Sequence, residues 1–214
     1  MNAIELSRLE KRFGSVRALD RVTASLPQGT ITLLAGSNGA GKTTLLRILA
    51  SLTRPTRGTV RVLEVDPFGR EGAAWRSRVG YLGQEAGLYG ELRVRENLEF
   101  CAKVHGINPR RVDALLRELG LEAVADQRAS TLSLGYLRRA GLARAQLTEP
   151  SLLLLDEPWN GLDAEASQQL SQQLRSHRQA GRSALVAAHN PDAAQGLFDG
   201  VLRLERGHLV ESHP

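Results

Sequence analysis

The sequence predicts an α/β fold: a mainly parallel sheet built around a phosphate-binding loop, with a helical segment inserted before the sheet is completed. Two observations predict it. Residues 36 to 43 read Gly36-Ser37-Asn38-Gly39-Ala40-Gly41-Lys42-Thr43, filling every fixed position of G-x-x-x-x-G-K-[ST] between an apolar run and a helical pattern. Short apolar runs then alternate with helix-period stretches on both sides of an interval, about 88–148, that carries no strand signal.

The loop is the first element with chemistry in it. Its glycines allow turns closed to other residues, so successive amides can point at phosphate oxygens with no Cβ in the way. Lys42 adds a point charge for β- and γ-phosphates, and Thr43 adds a hydroxyl for Mg²⁺. Thr44 and the rest of the opening helical turn supply the positive end of the helix dipole. Before the loop, Ile31-Thr32-Leu33-Leu34-Ala35 is a buried strand; after it, Leu45, Leu46, Ile48 and Leu49 form a helical apolar face.

Gly58 to Leu63 and Val79 to Gln84 follow as strands with turn residues at their edges. Val112, Leu115, Leu116 and Leu119 then recur at i, i+3, i+4, i+7, with Pro109 suited to the first turn of that helix. Val94, Leu98 and Cys101 share another helix face, on which the sole cysteine is expected to be a small buried hydrophobe. Ser151 to Asp156, Ser183 to Ala188, Val201 to Leu204 and His208 to Val210 resume the strands, with a helix carrying Ala166, Leu170 and Leu174 between them. The 214 residues are expected to make one domain, residues 88–148 forming its helical lobe.

Composition limits the partners. Net charge is +5, yet aromatics are only 4% of the chain and the arginines are scattered, so no stacking platform for nucleic acid is readable and no direct nucleic-acid binding is expected. The longest apolar runs fall far short of the roughly 20 residues that span a bilayer, and the N-terminus lacks the basic-then-apolar layout of a signal peptide. The expectation is a cytosolic protein that reaches a membrane through partners.

Leu152 to Leu155 followed by Asp156-Glu157 is a buried parallel strand delivering two carboxylates at its C-terminal end, where open α/β sheets bind ligands. Asp156 is suited to hold Mg²⁺ and Glu157 to polarise an attacking water. Alone, the run also fits a strand that ends in a solvated turn; beside the phosphate loop it reads as the second half of a nucleotide site. Leu132-Ser133-Leu134-Gly135-Tyr136 precedes Asp156 by 23 residues counted from Ser133, and taken alone it is a helix start capped by Ser133.

The order of phosphate loop, Gln84, this segment, Asp156-Glu157, Leu162-Asp163 and His189 resembles the ATP-binding cassette (ABC) family from about residue 4 to 211. The resemblance implies a P-loop NTPase core of ABC type, with an N-terminal antiparallel β-subdomain and an inserted α-helical subdomain, and it implies ATP and Mg²⁺ as ligands. It assigns adenine stacking to Phe13, Mg²⁺ and membrane-partner sensing to Gln84, the signature to Ser133 and Gly135, the D-loop to Asn160-Gly161-Leu162-Asp163, and γ-phosphate contact to His189. Plainer readings stand beside these: Phe13 as core, Gln84 as surface, His189 as a polar strand end. The chain departs from the family's Leu-Ser-Gly-Gly-Gln at Leu134 and Tyr136, and the Leu134 side chain is expected to crowd the approach to the γ-phosphate.

The resemblance further implies an ATP-sandwich homodimer driving integral-membrane subunits, peripheral on the cytoplasmic face of the inner membrane. The end of the chain soon after the final strand pair favours an exporter-type partner. Leu88-Tyr89 and Glu96-Asn97-Leu98 make the chain similar to the haem-exporter ATPases of cytochrome c maturation, the CcmA family, although no haem ligand pair is visible and no stoichiometric haem binding is expected. Drug and lipid exporter cassettes share those patterns. Soluble non-transport cassettes normally carry two cassettes or a large insertion, and this chain has neither. The segment from Gln84 to Leu92 is the expected docking point for the membrane partner.

Overall fold

The computed structural model describes residues 1–69, 75–188 and 196–213. Two sheets and five α-helices account for the fold among them. β1 (Asn2–Phe13) and β2 (Val16–Pro27) form a long antiparallel hairpin, and β4 (Arg57–Val62) pairs with the other edge of β1, giving the order β2-β1-β4. This is the antiparallel subdomain that the family resemblance implied. Ile4 and Leu6 point inward while Glu5 and Ser7 face solvent, the alternation of a sheet with one wet face. Register shifts between Leu6 and Leu9 and between Leu9 and Lys11, with left-handed Arg8 and Arg21 on the two strands, bend and twist the hairpin.

The second sheet runs β5-β6-β7-β3-β8-β9: β3 (Ile31–Ala35), β5 (Val79–Leu82), β6 (Leu152–Asp156), β7 (Ser183–Ala187) and β8 (Gly200–Glu205) are parallel, and β9 (His208–His213) closes it antiparallel to β8. Every residue of β3, β6 and β7 is buried, which explains why their sequences are apolar runs rather than alternations. The four-leucine run serves two cores at once. Leu153 and Leu155 face one with Val186, whereas Leu152 and Leu154 face the other with Leu185 and Leu34. Truncating one of these leucines to Ala would cost about 2–5 kcal/mol.

α1 (Lys42–Leu49) and the antiparallel sheet cover the second core; α2 (Val94–His105), α3 (Arg110–Glu118), α4 (Leu134–Gln146) and α5 (Ala164–Gln179) supply the first. Between β5 and β6 the named elements are helical, as the sequence pattern requires. Val112, Leu115, Leu116 and Leu119 are all buried, and Pro109 sits one residue earlier than expected, at the N-cap of α3 rather than inside its first turn. Cys101 is half-buried rather than enclosed; burial raises its thiol pKa, which keeps it in the unreactive form. Among the described residues no helix is long and apolar enough to cross a membrane.

The pattern Leu88-Tyr89…Glu96-Asn97-Leu98 has a structural explanation. Asn97 is buried; its Oδ1 accepts from the Tyr89 amide at 2.7 Å, and its Nδ2 donates to the carbonyls of Tyr89 at 3.0 Å and Arg93 at 3.0 Å. Glu96 caps α2 by accepting from the Arg93 amide at 2.7 Å, and Leu98 is fully buried. The motif thus ties the segment after Gln84 to the start of α2. Of Leu88, Tyr89 and Leu92 on the expected docking segment, Leu88 packs inward against the core and Leu92 is half-buried. Tyr89 alone is exposed, edge-on to exposed Phe100 at 5.6 Å between ring centroids.

Candidate functional site

The phosphate loop joins the end of β3 to the first turn of α1, and its glycines are required by close backbone approach. A Cβ at Gly41, which holds φ 107°, would lie 2.5 Å from the Ala18 carbonyl oxygen of β2; one at Gly36 would fall inside contact distance of the Leu204 carbonyl of β8. The loop is therefore wedged between both sheets. It closes around its own cation: Lys42 Nζ donates to the carbonyls of Gly36 at 2.7 Å and Ser37 at 3.2 Å, and the residue is buried. The amides at the start of α1 and this ammonium give the loop an attraction for anions.

β6 brings the carboxylates to the same place. Asp156, its last residue, is 1% exposed and accepts a 2.6 Å hydrogen bond from Thr43 Oγ1, while Gln84 Nε2 lies 3.3 Å from that same oxygen. Glu157 follows in a left-handed turn, φ 50°, with its amide donating to the Ala187 carbonyl at 2.8 Å. Ser37 to Thr44, Gln84, Asp156, Glu157 and Asn160 line one cleft of about 680 Å³. Threonine hydroxyl, aspartate and amide converge as hard-oxygen ligands, and no cluster of three or more His, Cys, Asp or Glu forms a protein-only cage among the described residues. That donor set fits Mg²⁺, a cation usually held by one or two carboxylates together with substrate phosphates.

Arg138 was not legible as a site residue. It is 4% exposed in the second turn of α4 and donates to four carbonyls: Gly83 at 2.7 Å, Gln84 at 2.9 Å, Glu157 at 2.7 Å and Asp156. Burial lowers its pKa, opposed by the nearby charges of Asp156 and Glu157. In sequence it is one arginine of an Arg-Arg pair, indistinguishable from a solvated one.

The remaining sequence candidates lie elsewhere. Ser133 caps α4, its Oγ accepting from the Tyr136 amide at 3.4 Å, and neither it nor Gly135 lines the cleft of its own chain. Leu134 does line it; 62% exposed, it rests against Gly161, where an added Cβ would lie 2.7 Å from Leu134 Cδ2. Asp163 caps α5, accepting from the Ala166 amide at 2.8 Å, outside the cleft. Phe13 is half-exposed at the end of β1 with Lys11 Nζ 4.7 Å from its ring centroid; Val16, Arg17 and Ala18, not Phe13, border the cleft on that side. His189 lies outside the described residues.

Comparison with known proteins bears on the same residues. A model of the family described as "ABC transporter" matches residues 19–160. The chain is 36% identical over 212 residues to "Daunorubicin resistance ATP-binding protein DrrA3" of Streptomyces coeruleorubidus, covering 97% of this chain and 67% of that protein. It is 37% identical over 217 residues to "Nod factor export ATP-binding protein I" of Bradyrhizobium diazoefficiens, covering 99% and 71%. It is 34% identical over 214 residues to "Probable sulfate/thiosulfate import ATP-binding protein CysA" of Chlorella vulgaris, covering 98% and 90%. Among solved structures, "Structure of ATP binding subunit of ABC transporter" superposes with TM-score 0.89 at 28% identity over 99% of this chain and 89% of that one. "Dimeric Structure of MJ0796, a Bacterial ABC Transporter Cassette" superposes with TM-score 0.90 at 23% identity over 98% and 97%, a likeness of fold. The stretch that the family model matches runs from β2 through the phosphate loop and the β6 carboxylates to Asn160, and the chain accordingly belongs to the ABC transporter family as an ATP-binding subunit, whose domain binds ATP with Mg²⁺ and hydrolyses it.

Proposed function

We propose that this chain is the motor subunit of a membrane exporter, with each bound ATP sandwiched between the phosphate loop of one copy and the Ser133–Gly135 segment of a second. The observation that carries the reading is the meeting of Lys42, Thr43, Gln84, Asp156 and Glu157 in one cleft, drawn from three separate places in the fold: the start of α1, the segment after β5 and the C-terminal end of β6. Lys42 and the loop amides hold the β- and γ-phosphates. Thr43, Asp156 and Gln84 would hold Mg²⁺, which would supply charge neutralisation on those phosphates. Glu157 takes the proton from a water whose oxygen attacks the γ-phosphorus, as the bond to the ADP oxygen breaks. The family resemblance assigns γ-phosphate contact to His189, which lies outside the described residues, and adenine stacking to Phe13, whose ring is half-exposed. Closure of the two faces, followed by their separation after hydrolysis, moves the membrane subunits from the cytoplasmic side.

Two relatives named for daunorubicin resistance and Nod factor export support an exporter whose cargo is a drug-like or lipid-like molecule. Haem export in cytochrome c maturation is the narrower reading, supported by the Leu88-Tyr89 and Glu96-Asn97-Leu98 pattern alone. Since that pattern secures the loop before α2, it bears on architecture before it bears on cargo.

Glu157→Gln tests the motor. Hydrolysis should slow by about 10²–10⁴-fold with ATP binding retained, and the variant should accumulate as an ATP-bound dimer by light scattering; a variant that binds ATP and stays monomeric overturns the sandwich. In a strain carrying the same change, loss of covalently haem-stained c-type cytochromes with b-type cytochromes intact would select haem. Normal c-type cytochromes would eliminate it and leave the drug or lipid cargo.

A further inference from the structure

We propose that Arg138 is a positioning residue that locks the Gln84 segment to the Glu157 turn, so that any displacement of one is imposed on the other. This rests on the motor reading above, in which Glu157 is the general base. The argument begins from geometry. Arg138 Nη1 takes the carbonyls of Gly83 and Gln84, and Nη2 takes those of Asp156 and Glu157. One planar fork therefore spans two consecutive carbonyl pairs that approach the nucleotide cleft from different strands, β5 and β6. The Glu157 carbonyl also accepts from the Asn160 amide at 3.1 Å, so the arginine grips the turn whose left-handed residue is the proposed base.

A comparison within α4 separates this role from simple support. Arg144, farther along the same helix, is also largely buried and donates to the Tyr81 carbonyl at 2.8 Å and the Ala86 carbonyl at 3.2 Å. It straps the same segment from its far side, but it touches neither β6 carboxylate residue and does not line the nucleotide cleft. Both arginines fix the Gln84 segment to α4; only Arg138 continues the connection to Asp156 and Glu157. Because α4 begins at the Ser133 cap, the helix that presents the signature carries the linkage too. Docking of a membrane subunit near Gln84, or of a second ATP face on Ser133, thus reaches the proton-accepting carboxylate through one side chain.

The test compares Arg138→Lys with Arg144→Lys. An ammonium keeps the charge but bonds from a single atom on a shorter stem and cannot span both carbonyl pairs. Arg138→Lys should lower kcat by about 10²-fold, the scale of an ångström-level misplacement, while the Kd for Mg-ATP by calorimetry stays within about twofold of wild type. Arg144→Lys should lower the melting temperature at least as much and keep kcat within about threefold, since it loses support without loosening the base. If Arg138→Lys retains kcat, or if both variants lose kcat in proportion to their loss of melting temperature, the proposal is overturned. Arg138→Gln, with two amide donors, is the second variant; failure of both Arg138 variants to fold would assign the residue to stability alone and equally overturn it. Glu157→Gln runs alongside: should it hydrolyse ATP normally, the motor reading fails, whereas its inactivity with a fully active Arg138→Lys rejects only the linkage.

Discussion

Thr43 Oγ1 donates to Asp156 Oδ2 across 2.6 Å, joining the first turn of α1 to the last residue of β6. The two residues lie 113 positions apart, so this contact fixes where the phosphate loop meets the carboxylates. The hydroxyl satisfies the carboxylate, as a polar group on a residue 1% exposed requires. Asp156→Asn keeps the size and removes the charge. It should raise the Mg²⁺ concentration needed for half-maximal ATP hydrolysis by about tenfold or more, the loss expected on removing one charged ligand. Unchanged Mg²⁺ dependence would place the cation elsewhere.

Lys42→Ala removes the cation around which residues 36 and 37 close, together with its two carbonyl contacts. ATP affinity by titration calorimetry should fall by well over about tenfold, because a charge-assisted contact to phosphate is lost in a buried loop. Affinity equal to wild type would mean that the loop is not the main phosphate site.

Leu134 occupies a glycine position of the family signature, and it leans on Gly161 of its own chain while remaining 62% exposed. The crowding expected from sequence therefore has two possible targets: the face of a second cassette, or the Asn160–Gly161 turn. Leu134→Gly should raise ATP turnover if the exposed side chain obstructs the second face. Equal or lower turnover in a normally folded variant would show that its contact with Gly161 is supportive and that the steric argument is wrong.

Tyr89 and Phe100 form an exposed edge-to-face pair on the segment tied down by Asn97. Exposed aromatics of this kind are frequent anchors in protein interfaces. Tyr89→Ala should leave the melting temperature within about 2 °C of wild type, since little buried area is lost. The same change should sharply reduce co-purification with the membrane fraction. A lower melting temperature with normal membrane retention would make the pair a packing feature of the helical lobe.

Much of this architecture was legible because burial writes directly into sequence. β3, β6 and β7 are buried on both faces and read as apolar runs; α5 buries Ala166, Leu170 and Leu174 at helical spacing. The hairpin of β1 and β2 was legible only through family resemblance, because bulges near Arg8 and Arg21 interrupt its alternation. Arg138 was illegible for a different reason. Its partners are main-chain carbonyls, whose positions depend on how β5 and β6 are registered and leave no complementary residue type to find.

His177 supplies a pH dependence independent of catalysis. It lies in the last turn of α5, where Nε2 donates to the Ser183 carbonyl at 3.0 Å and so ties the helix to the start of β7. Burial lowers its pKa from 6.5 to about 4, outweighing the hydrogen bond to Ser183, which favours the charged form. The unfolded chain therefore binds this proton more readily than the native one between those two values. Stability from the neutral ring is complete above pH 6.5 and is lost as pH falls toward 4, at up to about 1.4 kcal/mol per unit. At pH 5 the loss should be about 2 kcal/mol, or roughly 4–8 °C in melting temperature for a chain of this size. His177→Gln keeps a donor for Ser183 and cannot titrate. Its melting temperature should change between pH 7.5 and pH 5 by several degrees less than that of wild type. Identical shifts in the two proteins would show that other groups govern the acid sensitivity and that the His177 ring accepts its proton in the native state without cost.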